Sequence, residues 1–279
     1  MSLSALITRT SSLLEQSSDS PRLDAEVLLC HLLQKDRAYL LAWPEKELDT
    51  ETLEEYQQLV QRRLHGEPIA YITGQKEFWS LSFQVNRDTL IPRPETEHLV
   101  EYILEHYPAG QALRLADLGT GSGAIALALA SERPQWKIEA TDSSAPALEV
   151  AQSNARQLNI NSVSFHQGSW FEPLANQQFE IIVSNPPYIA EDDEHLTRGD
   201  VRFEPASALS SGPDGLDDIR QIADQARQHL GSGGLLIIEH GYDQQQKILQ
   251  IFTSLGYTRP LQLEDMAKKP RITLGYWAL

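Results

Sequence analysis

Asp117-Leu118-Gly119-Thr120-Gly121-Ser122-Gly123 follows the strand-like run Leu113–Leu118 and leads into a small-residue helix, Ser122–Ser131. Glycines at such a strand-to-helix turn let the backbone reverse sharply and approach a ligand closely. The turn opens a regular series. Lys137–Thr141, Val163–His166, Glu180–Ser184 and Leu235–Glu239 read as strands, and Ala145–Leu158, Asp217–Leu230 and Asp243–Leu255 as helices. Residues 257–264 and 271–278 close the series as two further strands. This alternation predicts an α/β fold, a mostly parallel sheet with helices on both faces. The unbroken apolar runs Ile181-Ile182-Val183 and Leu235-Leu236-Ile237-Ile238 suit strands buried on both sides.

Residues 1–73, by contrast, read as a small helical bundle. Ser20 is placed to cap a helix with Pro21 at its first position, and Leu23, Val27 and Leu28 begin an apolar stripe. A second long helix follows Asp49 or Thr50. Leu53, Tyr56, Val60 and Leu64 recur on one face, and Gly66 with Pro68 stops it. The stretch 78–85 alternates in the strand manner, so residues 74–90 read as a hairpin-like connector. Leu90–Glu95 is a loop, because two prolines resist regular structure, and a helix runs from about Glu95 to Tyr107. The expected division is therefore 1–73, 74–90 and 91–279.

A chain of 279 residues with 41% hydrophobic and 22% charged residues has the composition of an ordinary globular protein. Its single cysteine, Cys30, has no intrachain partner and reads as a core thiol. The first residues lack the apolar core of a signal peptide, and no apolar run approaches the ~20 residues of a membrane span. A cytoplasmic protein is expected. The net charge of −16 disfavours tight, sequence-independent binding to nucleic acid, which needs a basic surface.

The loop chemistry narrows the ligand. A dinucleotide site wants G-x-G-x-x-G with pyrophosphate on the helix N-terminus. Here the third glycine comes one residue early and Asp117 precedes the loop, where a carboxylate would repel pyrophosphate. The same carboxylate suits the ammonium group of a methionine moiety, directly or through water. No Gly-Lys-Ser/Thr follows, so a P-loop is excluded. Asp142 ends the second strand, where a carboxylate can accept hydrogen bonds from both ribose hydroxyls or cap the next helix. Trp170 or Phe171, after the third strand, can flank an adenine ring or belong to the core.

The segment Ser184-Asn185-Pro186-Pro187-Tyr188 carries the reaction. A buried strand ends at Asn185, and two prolines stop it at the sheet edge where ligands bind. A planar NH2 group has two protons to give. The Asn185 side-chain oxygen can accept one and the Pro186 carbonyl the other, while Tyr188 packs against the flat group. This grip aims the nitrogen lone pair, and acceptors that strengthen as nitrogen becomes positive stabilise the transition state. An N-alkylated amide cation is very acidic, so no dedicated base is needed, and no metal is expected. The motif alone does not separate an amide from the amino group of a base. A non-catalytic cofactor-binding scaffold and an NAD dehydrogenase stand as the rivals from other classes.

Asp117–Gly123 and Asn185–Tyr188 together resemble the class I S-adenosylmethionine methyltransferases that modify exocyclic or amide nitrogens. Within them, almost the whole chain resembles the bacterial peptide chain release factor glutamine methyltransferase family (PrmC/HemK). The resemblance also rests on Gly66-Glu67-Pro68-Ile69-Ala70-Tyr71-Ile72-Thr73-Gly74, Ile91-Pro92-Arg93-Pro94-Glu95-Thr96-Glu97, Phe203-Glu204-Pro205 and Gly212-Pro213-Asp214-Gly215-Leu216. It implies a Rossmann-like seven-stranded sheet with its last strand antiparallel, and S-adenosyl-L-methionine as cofactor. It implies cofactor contacts from Gly119, Thr120, Gly121, Ser122, Gly123, Asp142, Trp170 and Asn185. It places a glutamine of class 1 release factors, in their Gly-Gly-Gln motif, on Asn185, Pro186, Pro187 and Tyr188. The helical N-terminal region would help to hold the release factor. One position departs from the pattern: Ser169 stands where the family often carries an acid that meets the adenine amine. Arg93, Glu95 and Thr96 precede the core and are placed to approach either the methionine end of the cofactor or the substrate, or to serve only as a linker and helix cap.

Overall fold

The computed structural model describes residues 1–278, which divide into two compact units. The first comprises residues 1–75 and 197–203. It contains the helices α1 (Leu3–Leu14), α2 (Pro21–Leu33), α3 (Arg37–Ala42), α4 (Thr50–Leu64) and α5 (Ile69–Thr73). Asp36 and Asp49 cap α3 and α4 by accepting the backbone N–H three residues on. Ser20 precedes α2 as expected, but its hydroxyl donates to Asp24 Oδ1 at 3.2 Å instead of capping the backbone. The face of α2 that faces inward also differs from the expected stripe. Leu23 is exposed, while Asp24, Ala25, Leu28 and Leu29 are buried. The cause is Arg63 on α4, which is itself buried and donates to Asp24 Oδ2 at 2.8 Å and to Asp200 Oδ1 at 3.0 Å. Buried charge is tolerated here because it is paired. Asp200 lies in the segment Thr197–Phe203, which no local pattern assigned to the helical unit. Cys30 is half-buried beside the helical core, and desolvation raises its thiol pKa, as for an unreactive cysteine.

The second unit begins at Lys76, inside a two-stranded hairpin of β1 (Gln75–Phe78) and β2 (Leu81–Gln84), followed by α6 (Glu97–His106). Next come β3 (Arg114–Leu118), α7 (Ala124–Glu132), β4 (Lys137–Asp142), α8 (Ala145–Gln157), β5 (Val163–Gln167) and β6 (Phe179–Ser184). The chain ends with α9 (Asp217–His229), β7 (Leu230–Glu239), α10 (Gln245–Ser254), β8 (Thr258–Glu264) and β9 (Pro270–Tyr276). The seven strands β3–β9 form one sheet in the order β5-β4-β3-β6-β7-β9-β8. Pairings from β5 through β7 are parallel, and β9 runs antiparallel to both β7 and β8. The predicted seven-stranded sheet and the helical N-terminal region are both present.

Alternate residues of each central strand feed two cores, because successive side chains point to opposite faces. Leu115, Ile181, Val183, Leu235 and Ile237 pack with α6 and α7. Ala116, Leu118, Ile182, Leu236 and Ile238 pack with α9 and α10. Fully burying such a side chain contributes about 1.5–3 kcal/mol. The rigid layer so formed fixes the strand ends that carry the candidate site.

Candidate active site

The order β4-β3-β6 places the first strand between a partner on either side, with the connections departing in opposite senses. That is the switch point at which open α/β sheets bind ligands. Leu118 and Ser184 are register partners, and Ser184 Oγ donates to the Leu118 carbonyl at 2.7 Å. Gly119 and Asn185, the next residues, therefore leave the same edge side by side. A cavity of about 210 Å³ lies there, and Gly119, Gly121, Asp142, Trp170, Asn185 and Pro187 line it. Ser169 lines it too, so the residue departing from the family pattern belongs to the wall. Asp117, Thr120, Ser122, Gly123, Pro186 and Tyr188 are not among the lining residues.

Two of those six, Asp117 and Thr120, nonetheless brace the loop that lines the cavity. The N–H groups of Gly119 and Thr120 both donate to the Thr141 carbonyl at 2.9 Å, which clamps the loop to β4. Gly119 has φ +72°, and a Cβ there would lie 3.1 Å from Trp170 Cζ3. Glycine thus lets the loop and the indole come together as facing walls. Asp117 is buried. Its Oδ2 accepts from Thr120 Oγ1 at 2.6 Å and from the Ala126 N–H at 3.2 Å, while Oδ1 has no partner. Asp142 Oδ2 accepts from the Gly121 N–H and Oδ1 from the Ser144 N–H, both at 2.9 Å. The cap of α8 is Ser144, not Asp142. Asp142 therefore braces the loop and still presents its carboxylate to the cavity. Phe171 is a core residue, stacked on His229 with ring centroids 4.4 Å apart.

At the other wall, Asn185 Nδ2 donates to Thr96 Oγ1 at 3.1 Å, and Asn185 Oδ1 is buried without a partner. A buried acceptor left unpaired is costly, and in a native cavity it marks a place for a donor. Register brings a further residue to this point. Ser184 pairs with Ile238, so Glu239 ends its strand beside Asn185. Glu239 is 2% exposed, and its Oε2, like Asn185 Oδ1, is buried without a hydrogen-bond partner. Nothing in the sequence pointed to Glu239 as a site residue. The available signal was a carboxylate closing an apolar strand at its ligand-binding end. Glu204, which the sequence offered only within the family motif Phe203-Glu204-Pro205, is a second buried acid near the site. Its buried carboxylate accepts from the Ile91 N–H at 3.0 Å and pairs with Arg93, tying down the 88–93 loop whose Asp88, Thr89 and Leu90 line the cavity. Arg93 and Thr96 thus act within the site's framework.

Burial pushes the carboxyls of Asp117 and Glu239 up to about 7. Each is raised above its unfolded value near ~4, so between those limits the folded state holds more protons. Their contribution to stability is full below the unfolded pKa and is lost as pH rises through about 7. Buried His240, whose pKa is lowered, works in the opposite sense below its ordinary value. Thermal unfolding should accordingly give a Tm a few degrees higher at about pH 6 than at about pH 8, with Asp117→Asn reducing that difference. A Tm that climbs steadily from pH 6 to pH 8 would contradict the two carboxyl shifts.

Tyr188 packs half-buried against the second core. Its carbonyl accepts from Gln244 Nε2 at 2.8 Å, and its N–H donates to the Leu209 carbonyl at 3.2 Å. Gly215, with φ +72°, lets the chain pass this carbonyl. A Cβ there would come within 2.2 Å of Tyr188 O and 2.8 Å of Gln244 Nε2. Gly215→Ala should destabilise the protein by about 2–4 kcal/mol, combining left-handed strain with overpacking. Chemical denaturation would show this, and a loss below about 0.5 kcal/mol would mean that the contact is not rigid.

Residues 5–74 match the family model "PrmC N-terminal domain", and residues 96–209 match "Methyltransferase small domain". The release factor glutamine methyltransferase of Aliivibrio fischeri is 49% identical over 281 residues, covering 100% of this chain and 99% of that protein. The one from Vibrio cholerae is 51% identical, covering 98% and 96%. The chain belongs to the release factor glutamine methyltransferase family. The resemblance drawn from the sequence motifs is thereby borne out, and the protein is a methyltransferase. The fold has wider kin: the catalytic domain of hMettl16, solved with a MAT2A 3′UTR hairpin, superposes with a TM-score of 0.60 at 15% identity, covering 90% of this chain and 91% of that one. That likeness concerns fold alone. Among the described residues of this family member, no helix is long and apolar enough to cross a membrane.

Proposed function

We propose that this chain transfers a methyl group from S-adenosyl-L-methionine to the side-chain amide nitrogen of the glutamine in the Gly-Gly-Gln motif of class 1 peptide chain release factors. The observation that carries the proposal is the unpartnered Asn185 Oδ1, held by Thr96 at the wall of the switch-point cavity. An acceptor so placed fits a donor NH2, and family membership supports a glutamine amide as the group that brings it.

The residues present fit the cofactor. Asp142 offers a fixed carboxylate for the ribose hydroxyls, and Gly119, Gly121 and Trp170 offer flat, close walls for the nucleoside. Asp117 Oδ1 is a remaining buried acceptor behind the loop, available to the methionine end through small shifts or water. When bound, the cofactor supplies a methyl group activated by a sulfonium. Asn185 Oδ1 accepts one amide proton of the substrate and the Pro186 carbonyl accepts the other. Pro187 and Tyr188 confine the planar amide. Gripping both protons orients the nitrogen and strengthens as it becomes positive, which lowers the barrier without a general base. The proton then leaves a strongly acidic cation to water.

The net charge of −16 and the match to the family's N-terminal domain support a protein substrate over nucleic acid. The N-terminal helical unit is proposed to hold the release factor. The reaction fits a cytoplasmic setting. Incubating the enzyme with methyl-labelled S-adenosyl-L-methionine and either release factor or RNA and DNA should label the release factor. Label in nucleic acid alone would overturn the proposal.

A further inference from the structure

Asn185 is useful as an acceptor only if its amide faces the right way, since its oxygen and its NH2 group are nearly the same shape. Something must choose between the two orientations. Asn185 Nδ2 donates to Thr96 Oγ1 at 3.1 Å, yet a hydroxyl can accept or donate and so makes no choice by itself. Glu239 ends the neighbouring strand beside Thr96 and Asn185, and its Oε2 is buried with no hydrogen-bond partner. An ionised carboxylate only accepts. Beside Thr96 it draws the hydroxyl proton toward its unpartnered oxygen, leaves the Thr96 lone pairs for Asn185 Nδ2, and favours that NH2 group over an oxygen electrostatically. The flipped amide would set Asn185 Oδ1 against a carboxylate and a committed hydroxyl oxygen.

We propose that Glu239 is a positioning residue for methyl transfer, acting through Thr96 to hold the Asn185 amide with its oxygen toward the substrate. The proposal rests on the function assigned above to Asn185. The placement is built by the sheet: Ser184 and Ile238 are register partners, so Asn185 and Glu239 end adjacent strands, while Thr96 enters from the turn before α6. The charges facing Glu239 are Arg271, from the neighbouring β9, and Glu95, from the same turn as Thr96. Its nearness to neutrality follows from burial, with Glu95 opposing ionisation and the polar groups of Thr96 and Asn185 and the Arg271 charge favouring it. Protonation would make Glu239 a donor and release the choice. The turnover of the wild type should thus fall as pH drops through about 7, the value to which burial pushes Glu239.

A double-mutant cycle on the full-length enzyme tests this, with kcat on release factor and the Kd of S-adenosyl-L-methionine measured for each variant. Glu239→Gln keeps the shape but can present either an acceptor or a donor. It should lower kcat by about 10-fold or more, leave the cofactor Kd within about threefold, and abolish the fall in kcat on the acid side. In an Asn185→Ala background, Glu239→Gln should have no further effect beyond about twofold, since the residue it positions is gone. Thr96→Val, nearly isosteric, reads the same relay from its middle and should give the same pattern. It also decides the matter if Glu239→Gln does not fold. Unchanged kcat in Glu239→Gln or in Thr96→Val, or full multiplicativity with Asn185→Ala, would overturn the positioning role. Unchanged kcat in Asn185→Ala alone would instead overturn the function assigned to Asn185, and the positioning proposal with it.

Discussion

Asn185→Ala is expected to lower kcat by about 10²- to 10³-fold while the Kd of S-adenosyl-L-methionine changes by less than about threefold. The magnitude follows from what is removed. Asn185 Oδ1 is a buried acceptor with no partner in the protein, so its bond to the substrate amide replaces no bond within the fold. That bond strengthens as the amide nitrogen loses its lone pair to the methyl group, which places its value in the transition state. Most of the cavity wall belongs to other elements: Gly119 and Gly121 after β3, Asp142 after β4, and Trp170 after β5. Cofactor affinity should survive for that reason. Removing the side chain also frees Thr96, so circular dichroism and Tm must accompany the kinetics. Wild-type turnover in a folded Asn185→Ala protein would refute the assigned role.

Asp142→Ala should act in the opposite way, raising the Kd of S-adenosyl-L-methionine by about 10²-fold and sparing kcat at saturation. Hydrogen bonds to a charged acceptor are worth about 1.5–3 kcal/mol each, and a ribose offers two hydroxyls. The same carboxylate braces the loop by accepting from the Gly121 and Ser144 N–H groups. Its loss therefore costs preorganisation as well as contacts. Asp142→Asn separates the two contributions, because its amide can keep one of the backbone bonds while losing charge. Isothermal titration calorimetry measures both variants, and unchanged affinity in Asp142→Ala would remove the ribose role.

The parts of this arrangement that were legible in the sequence are those written locally. Asp117–Gly123 and Asn185–Tyr188 each combine a strand end with a turn, and the period of two against 3.6 located the strands and helices around them. The sheet then places Gly119 and Asn185 side by side through the Leu118–Ser184 register. What was not legible depends on partners far along the chain. Thr96 meets Asn185 across 89 positions and Glu204 meets Ile91 across 113, and no window of local pattern records such pairs. Glu239 read simply as the end of an apolar strand. Leu23 was assigned to the buried face of its helix by periodicity, but the Arg63–Asp24 pair turns a different face inward. In each case a long-range polar contact overrides or supplements the apolar pattern.

The site chemistry shows the same division. The sequence argued that Asn185 should offer an acceptor, and the structure shows the Thr96 hydroxyl accepting from its NH2 group while its oxygen is left without a partner. Family membership, not geometry, then singles out an amide over the amino group of a base, since both present the same two protons.

Tandem mass spectrometry of a class 1 release factor, after incubation with the full-length enzyme and S-adenosyl-L-methionine, tests that claim most directly. One added methyl on the side-chain nitrogen of the Gly-Gly-Gln glutamine, absent with Asn185→Ala, is the predicted result. An unmodified glutamine under conditions where the enzyme binds both partners, or a methyl group on any other residue, would contradict it.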